Sequence, residues 1–435
     1  MSSHQSSSTT VSKADLQPAS PSSQYISSTA LSLTILGIFE SEIPIDDSAA
    51  LVLLRDEFLP INPRFSSTLV RDEKGRRRWK RVDVRLEDHM KVPFFPPGLS
   101  PKEYDVHLQD YLSNIALEKL PDERPLWEVH VIKYPTSDAL GTAVFKLHHA
   151  LGDGFSLMGA LFSCLKRADD PSLPLTFASS SSSSSATKAA ATKKKKKSCI
   201  RLCNKIVAGC WYTVSDFVSS VLHSTSLEDD RTAVRSGVPR VEFEPVSIST
   251  VAFSLSRISE IKLKVGTTVN DVVVGTIFYA IQVYKQRMMG SRWSSGFKER
   301  TTALVLLNTR MVKSYESVDD MLKKNGWGNR FTFLPVPIPS NCKDAGKEST
   351  PLAYIAKARK TIKRKRYSLA VYLTGMLLET LRKVRGPEAV SRYIHSTLKN
   401  TSIAISHVVG PMEQMAMAGH PVKGLYFAVL GAPQR

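Results

Sequence analysis

The sequence predicts an α/β protein of two folded units, and three observations carry that reading. The chain has 435 residues, more than one ordinary core takes up, so two units of roughly 150–200 residues each are expected. Helix-period and strand-period apolar patterns alternate along it. Part-way along lies a stretch that no core accepts, with unbroken serine over residues 179–185 and unbroken lysine over 193–197. Such a stretch is a solvated connector. The apolar fraction of 42% is ordinary for a globular protein, so sizeable cores can form on either side.

Residues 1–24 are rich in Ser, Thr and Pro and are expected to be disordered. They lack the basic start and apolar centre of a secretory signal. Leu31, Leu33 and Ile35 alternate with Ser32 and Thr34, which predicts a buried strand. Asp46 or Asp47 can cap a helix over 48–59, striped by Leu51, Leu54, Phe58 and Leu59. Residues 104–117 form a further helix, and 125–132 and 141–148 read as two strands. Asp153-Gly154 turns the second strand into a helix running to Lys166. Past the connector, 200–222 is apolar but interrupted by Arg201, Lys205 and Asp216. Each charge would cost roughly 2.5–3.5 kcal/mol at a bilayer centre, which argues against a full span. The second unit starts near Val241, with strands over 251–255, 302–308, 331–335 and 402–409. Its helices are expected over 270–284, headed by Asn270-Asp271, and over 351–384. The expected division is therefore a disordered 1–24, a first domain 25–175, a connector 176–240 and a second domain 241–435, shortened at its end with an unpaired sheet edge.

Lys and Arg number 59 against 40 acidic residues, a net charge of +19. That bias speaks of partners: nucleic acid, an anionic membrane surface or a polyphosphate co-substrate. No aromatic interleaving accompanies the basic runs, so nucleic acid is excluded. The basic residues of 357–366 fit a solvated face, contact with phosphates or contact with membrane. The five Cys are odd in number, and Cys199, Cys203 and Cys210 do not match a zinc spacing. A long chain with few Cys reads as reduced and cytosol-facing, and no metal is expected.

The chemistry sits in His148-His149-Ala150-Leu151-Gly152-Asp153-Gly154. Neighbouring side chains on a strand point to opposite faces, so one histidine should face a site and the other the packing. Gly152 and Gly154 permit a tight turn into the following helix. A neutral imidazole at its mouth is suited to take a proton from a hydroxyl, whose oxygen can then attack an activated acyl group directly. Consistent with that, the chain has no Gly-x-Ser-x-Gly nucleophile elbow. Asp153 caps and orients, and is not a proton carrier.

The His-His-x-x-x-Asp-Gly pattern resembles the signature of the CoA-dependent acyltransferase superfamily. Pro125-Leu126-Trp127, Asn270-Asp271-Val272-Val273, Leu306-Leu307-Asn308-Thr309-Arg310, Gly328-Asn329-Arg330-Phe331 and Val409-Gly410-Pro411 follow in order. Together they resemble the plant bifunctional wax ester synthase/diacylglycerol acyltransferases from about residue 23 onward. The resemblance implies two chloramphenicol-acetyltransferase-like α/β domains with the active-site tunnel between them. It implies His149 as general base with His148 and Asp153 beside it, Asp153 paired with an Arg of the second domain such as Arg310, and Gly154, Asn270 and Arg310 toward substrate. It implies acyl-CoA as co-substrate with no bound cofactor, a long-chain alcohol or diacylglycerol as acceptor, and wax ester or triacylglycerol as product. The family commonly carries Asn where this chain has His407. Such substrates dissolve in membranes, so a membrane surface is an expected partner, at the cytosolic face of the endoplasmic reticulum or at the plasma membrane. The lysine run with residues 200–222 behind it offers the means, and Cys199 and Cys203 could carry palmitate. Gly326-Trp327-Gly328 is faintly similar to a motif of soluble acyltransferases of plant secondary metabolites, one rival reading. A non-catalytic, membrane-associated lipid-binding relative is the other.

Overall fold

The structure is a computed structural model that describes residues 16–73, 75–177, 199–289, 299–310, 326–340, 350–366 and 368–434, with the side chains of 199–206 and 289 left aside. The serine and lysine runs lie outside the described residues. The expected disorder of 1–24 is corrected where the description begins. Leu16–Pro18 forms a short strand, β1, and Pro21–Ile26 a helix, α1, whose first turn is capped by the Ser20 hydroxyl.

Next come β2 (Thr34–Ser41) and α2 (Asp47–Leu53), whose cap is Asp46 accepting the Ser48 N–H. The turns continue through Leu59–Ile61. Strands β3 (Ser67–Arg71) and β4 (Arg77–Arg81) pair with β1 in a small sheet. After β5 (Met90–Lys91), helix α3 (Pro101–Leu117) starts on a Ser100–Glu103 capping box and buries Tyr104, Leu108, Leu112 and Ile115. Strands β6 (Trp127–Ile132) and β7 (Gly141–His148) are buried along their whole length, and α4 (Gly154–Ser163) follows the histidine turn. That helix stops short of the expected Lys166 because Leu165–Arg167 leaves as β8 to pair with a strand from the end of the chain.

Helix α5 (Cys199–Thr225) leads toward α6 (Leu255–Val265) and α7 (Val269–Met289). Residues 251–254 are unpaired, so the expected strand there is absent and α6 begins in its place. Strands β9 (Thr302–Asn308), β10 (Phe331–Pro337) and β11 (Ile403–Ile405) make a three-stranded sheet of order β10-β9-β11. The single helix expected over 351–384 is two, α8 (Pro351–Arg366) and α9 (Ala370–Arg385). The Ser368 hydroxyl accepts the Ala370 N–H and starts the second. Helix α10 (Pro387–Lys399) precedes β11.

The last strands, β12 (Met415–Met417) and β13 (His420–Leu430), do not stay in the second unit. They cross back into the first sheet, whose order is β5-β6-β7-β2-β13-β12-β8. The expected second domain of 241–435 is corrected accordingly: its last strands complete the first sheet, while the second sheet ends at β10 and β11. Strand β2 lies between β7 and β13, with Thr34 opposite both His148 and Leu430. Its alternating side chains enter two cores, Ile35 and Phe39 on one face, Leu36 and Ile38 on the other. The second sheet packs on α7 and α8 through Phe278, Val305, Val336 and Tyr354. A further apolar cluster joins Ile26, Leu31 and Leu33 to Leu304, Val390 and Leu398, so the units are fastened by burial as well as by the crossover.

Helices α7 and α8 meet closely at Gly275, where an added Cβ would stand 2.5 Å from the Ile355 Cα. Backbone cannot swing aside, so Gly275→Ala should destabilise by about 1–3 kcal/mol. A urea unfolding midpoint equal to that of the parent would contradict this packing.

Candidate active site

The turn after β7 sorts the two histidines. His148 Nδ1 accepts the Ala150 N–H at 3.0 Å, so its proton sits on Nε2 and is donated to the Ser32 hydroxyl, also at 3.0 Å. Burial first, then the neighbouring His149 and Arg77, push the His148 imidazole down to about 3. It stays neutral, with both nitrogens used inside the protein. Its expected place among the catalytic groups is corrected to a positioning one, because strand alternation turns it away from the cavity.

His149 faces the other way. Its backbone N–H donates to the Leu33 carbonyl at 2.8 Å. Its Nδ1 lies 2.8 Å from Asn329 Oδ1, and Asn329 Nδ2 donates to the His149 carbonyl at 2.9 Å. That second bond fixes the amide's orientation, so Oδ1 must accept and Nδ1 must carry the ring proton. Nε2 is left as the basic nitrogen. Burial is the largest influence and lowers the His149 imidazole below its ordinary value, against opposing pulls from Asp153 and Asn329. The ring is therefore neutral near pH 7.

A cavity of about 500 Å³, open to solvent at its mouth, lies between the two units. The first unit contributes His149, Asp153 and Gly154 to its wall, and the second contributes Phe331, Phe333 and His407. Ligand pockets typically hold roughly 300–1,000 Å³, so this cavity is of ordinary ligand-binding size. A Cβ at Gly154 would meet nothing within 4 Å, so this glycine leaves cavity space that a side chain would fill. Neither Gly152 nor Gly154 has a positive φ, so the turn itself does not demand them. His407 looks onto the cavity from the far side, and burial followed by Arg366 lowers its imidazole.

Asp153 receives four donors. The Ser156 N–H caps α4 at 3.0 Å, the Arg330 N–H reaches it at 2.9 Å, and Arg310 grips it with both terminal nitrogens at 2.6 and 3.0 Å. Arg310 also donates to the Ser156 hydroxyl and to the Gly328 carbonyl, and lies over the Phe155 ring. It is thereby engaged as the partner of Asp153, and it also lines the cavity on which its role toward substrate is expected. Asn270 sits in the first turn of α7 and is not part of the cavity wall. The cap there is Thr268, which exchanges hydrogen bonds with Asp271.

The loop 326–330 is the part that the motif alone does not assign. Gly326 and Gly328 take φ of +61° and +123°, which favours glycine, and an indole between them donates to the Leu151 carbonyl at 2.6 Å through Trp327 Nε1. The chain thus places Asn329 against His149.

Comparison with known proteins agrees with this geometry. The family model described as the wax ester synthase/diacylglycerol acyltransferase catalytic domain matches residues 45–273, and that of the WS/DGAT C-terminal domain matches 327–435. The chain belongs to the wax ester synthase/diacylglycerol acyltransferase family. It is an acyltransferase. Among relatives of this WS/DGAT chain, wax ester synthase/diacylglycerol acyltransferase 4 of Arabidopsis thaliana is 29% identical over 431 residues, covering 96% of this chain and 81% of the relative. Number 11 of the same organism is 28% identical over 435 residues, covering 96% and 86%. The wax ester synthase/diacylglycerol acyltransferase from Marinobacter aquaeolei VT8 shares the fold, with a TM-score of 0.54 and 16% identity over 96% of this chain and 88% of that one.

Two outcomes test the WS/DGAT site. Arg310→Ala leaves Asp153 buried without its countercharge and should destabilise by about 3–5 kcal/mol in chemical unfolding; a loss under 1 kcal/mol would contradict the clasp. Asn329→Asp sets a carboxylate against Nδ1–H, which favours imidazolium and raises the His149 pKa. The acid limb of kcat/KM, expected below the ordinary histidine value of about 6.5, should then move to higher pH. A limb that stays in place or moves down would contradict the assignment.

Proposed function

We propose that the chain joins the acyl group of a long-chain acyl-CoA to the hydroxyl of a long-chain alcohol, giving a wax ester, and to that of diacylglycerol, giving triacylglycerol. The observation that carries the reading is the free Nε2 of His149 on a cavity walled by both units. The relatives bear the same two activities in their names. Nε2 takes the hydroxyl proton as the oxygen attacks the thioester carbonyl carbon. The C–S bond breaks on collapse of the tetrahedral intermediate, and the sulfur leaves with the proton returned by the imidazolium, as free CoA. Atoms and charge balance without a metal or prosthetic group, and acyl-CoA is consumed as co-substrate.

The phenylalanine-lined wall suits an alkyl chain better than a sugar or peptide. The Trp327 and Gly328 contacts to the histidine turn give Gly326-Trp327-Gly328 a structural use, so it does not favour a soluble acceptor. We place the reaction at a membrane surface, on the cytosolic face of the endoplasmic reticulum or the plasma membrane. The free thiols Cys164 and Cys210 fit a reducing compartment. Among the described residues no helix is long and apolar enough to cross a membrane.

Purified protein given palmitoyl-CoA with hexadecanol or with a diacylglycerol should release CoA and form ester in equal amounts. His149→Ala should lower kcat by about 10²–10⁴-fold. CoA release without ester, or activity that survives His149→Ala, would defeat the mechanism.

A further inference from the structure

Helix α5 is amphipathic the wrong way round for a helix that only packs on a soluble protein. Its polar positions face inward. Asp216 is buried between Arg364 at 3.1 Å and Lys365 at 2.7 Å, the Ser220 carbonyl accepts the Tyr393 hydroxyl, and His223 is buried near Asp229. Its apolar positions face outward. Val207, Trp211, Val214, Val218 and Leu222 recur at helical spacing and are all exposed, Trp211 by 70%. Helix α9 packs against α5 and adds a second stripe of Leu369, Tyr372, Leu373 and Met376, with Tyr372 69% exposed.

A cleft lies behind these helices. As it stands it is narrow, about 60 Å³, and is lined by Ser220 of α5, Thr374 and Leu378 of α9, and Tyr393 of α10. Its inner wall is Phe331 and Phe333, which also wall the catalytic cavity, together with Asn329, the partner of His149. A lipid taken up between α5 and α9 is therefore one layer of side chains from the base.

Lys363, Arg366, Lys383 and Arg385 are exposed at the ends of α8 and α9, around the stripes. An apolar strip with a cationic rim fits an anionic bilayer, where chains receive the strip and headgroups the rim. A second copy is disfavoured, because stacking two such faces brings like rims together on chains of charge +19.

We propose that the outward stripes of α5 and α9 lie on an anionic lipid surface and that the narrow cleft between them parts there to admit the lipid alcohol to the catalytic cavity. The use of the cleft rests on the esterification reading; the docking does not. The full chain should float with phosphatidylcholine vesicles containing phosphatidylserine and bind pure phosphatidylcholine vesicles more weakly. Trp211→Glu with Val218→Glu, and separately Tyr372→Glu with Met376→Glu, should lower binding to the mixed vesicles at least tenfold while the circular dichroism stays that of the parent. Esterification of vesicle-borne hexadecanol should fall with binding, and that of a short, water-soluble alcohol should not. Vesicle binding that survives both double variants overturns the surface, as does a parent chain that ignores vesicles and whose dimer the variants dissolve. His149→Ala separates the readings: it should bind vesicles like the parent while making no ester. An enzyme that makes ester in solution yet ignores vesicles loses only the surface, and a chain that binds vesicles through these stripes yet makes no ester loses only the chemistry and the cleft.

Discussion

The bidentate pair of Asp153 with Arg310 is the constraint on which the site depends. It joins the turn after β7 to the end of β9, and so one half of the cavity to the other. The two chain segments lie 157 residues apart, and the pair is buried. A buried ion pair adds little net stability by itself, yet removing one partner is costly. Its value here is geometric. With Asp153 held by Arg310 and the Arg330 N–H, the loop 326–330 has one seat, and Asn329 meets His149 only from that seat.

From this follows a division of labour between two adjacent imidazoles. His148 is locked by Ser32 and the Ala150 N–H, and it holds the turn. His149 has one nitrogen engaged by a neutral amide and one free. An amide orients the ring without stabilising imidazolium as a carboxylate would. Burial and a neutral partner thus keep the base unprotonated, while Asp153 stands near enough to favour the charge that forms when the proton arrives.

Much of this was legible in the sequence because it is local. The His-His-x-x-x-Asp-Gly spacing and the buried strands β6 and β7 declare themselves within a few residues. Arg310 could be named from the resemblance. Asn329 lies within one of the family motifs, but nothing in an Asn 180 residues distant marks it as the partner of a histidine. Composition shows that residues 200–222 are apolar but not that Val207, Trp211, Val214, Val218 and Leu222 face outward, because composition is the same whichever side packs. The sequence predicts no strand at β13, whose pairing with β2 puts it in the other sheet. The expected strand at 251–255 failed because β-branched and apolar residues do not form a strand without a neighbour to pair with.

The most direct test of the account is the tautomer of His149. Nitrogen-15 NMR of the ring in labelled protein near pH 7, assigned by its loss in His149→Ala, distinguishes protonated from bare nitrogens. The account predicts a neutral ring with the proton on Nδ1 and a bare Nε2. A ring protonated on Nε2, or charged at that pH, would contradict it, for the nitrogen facing the substrates could then accept nothing.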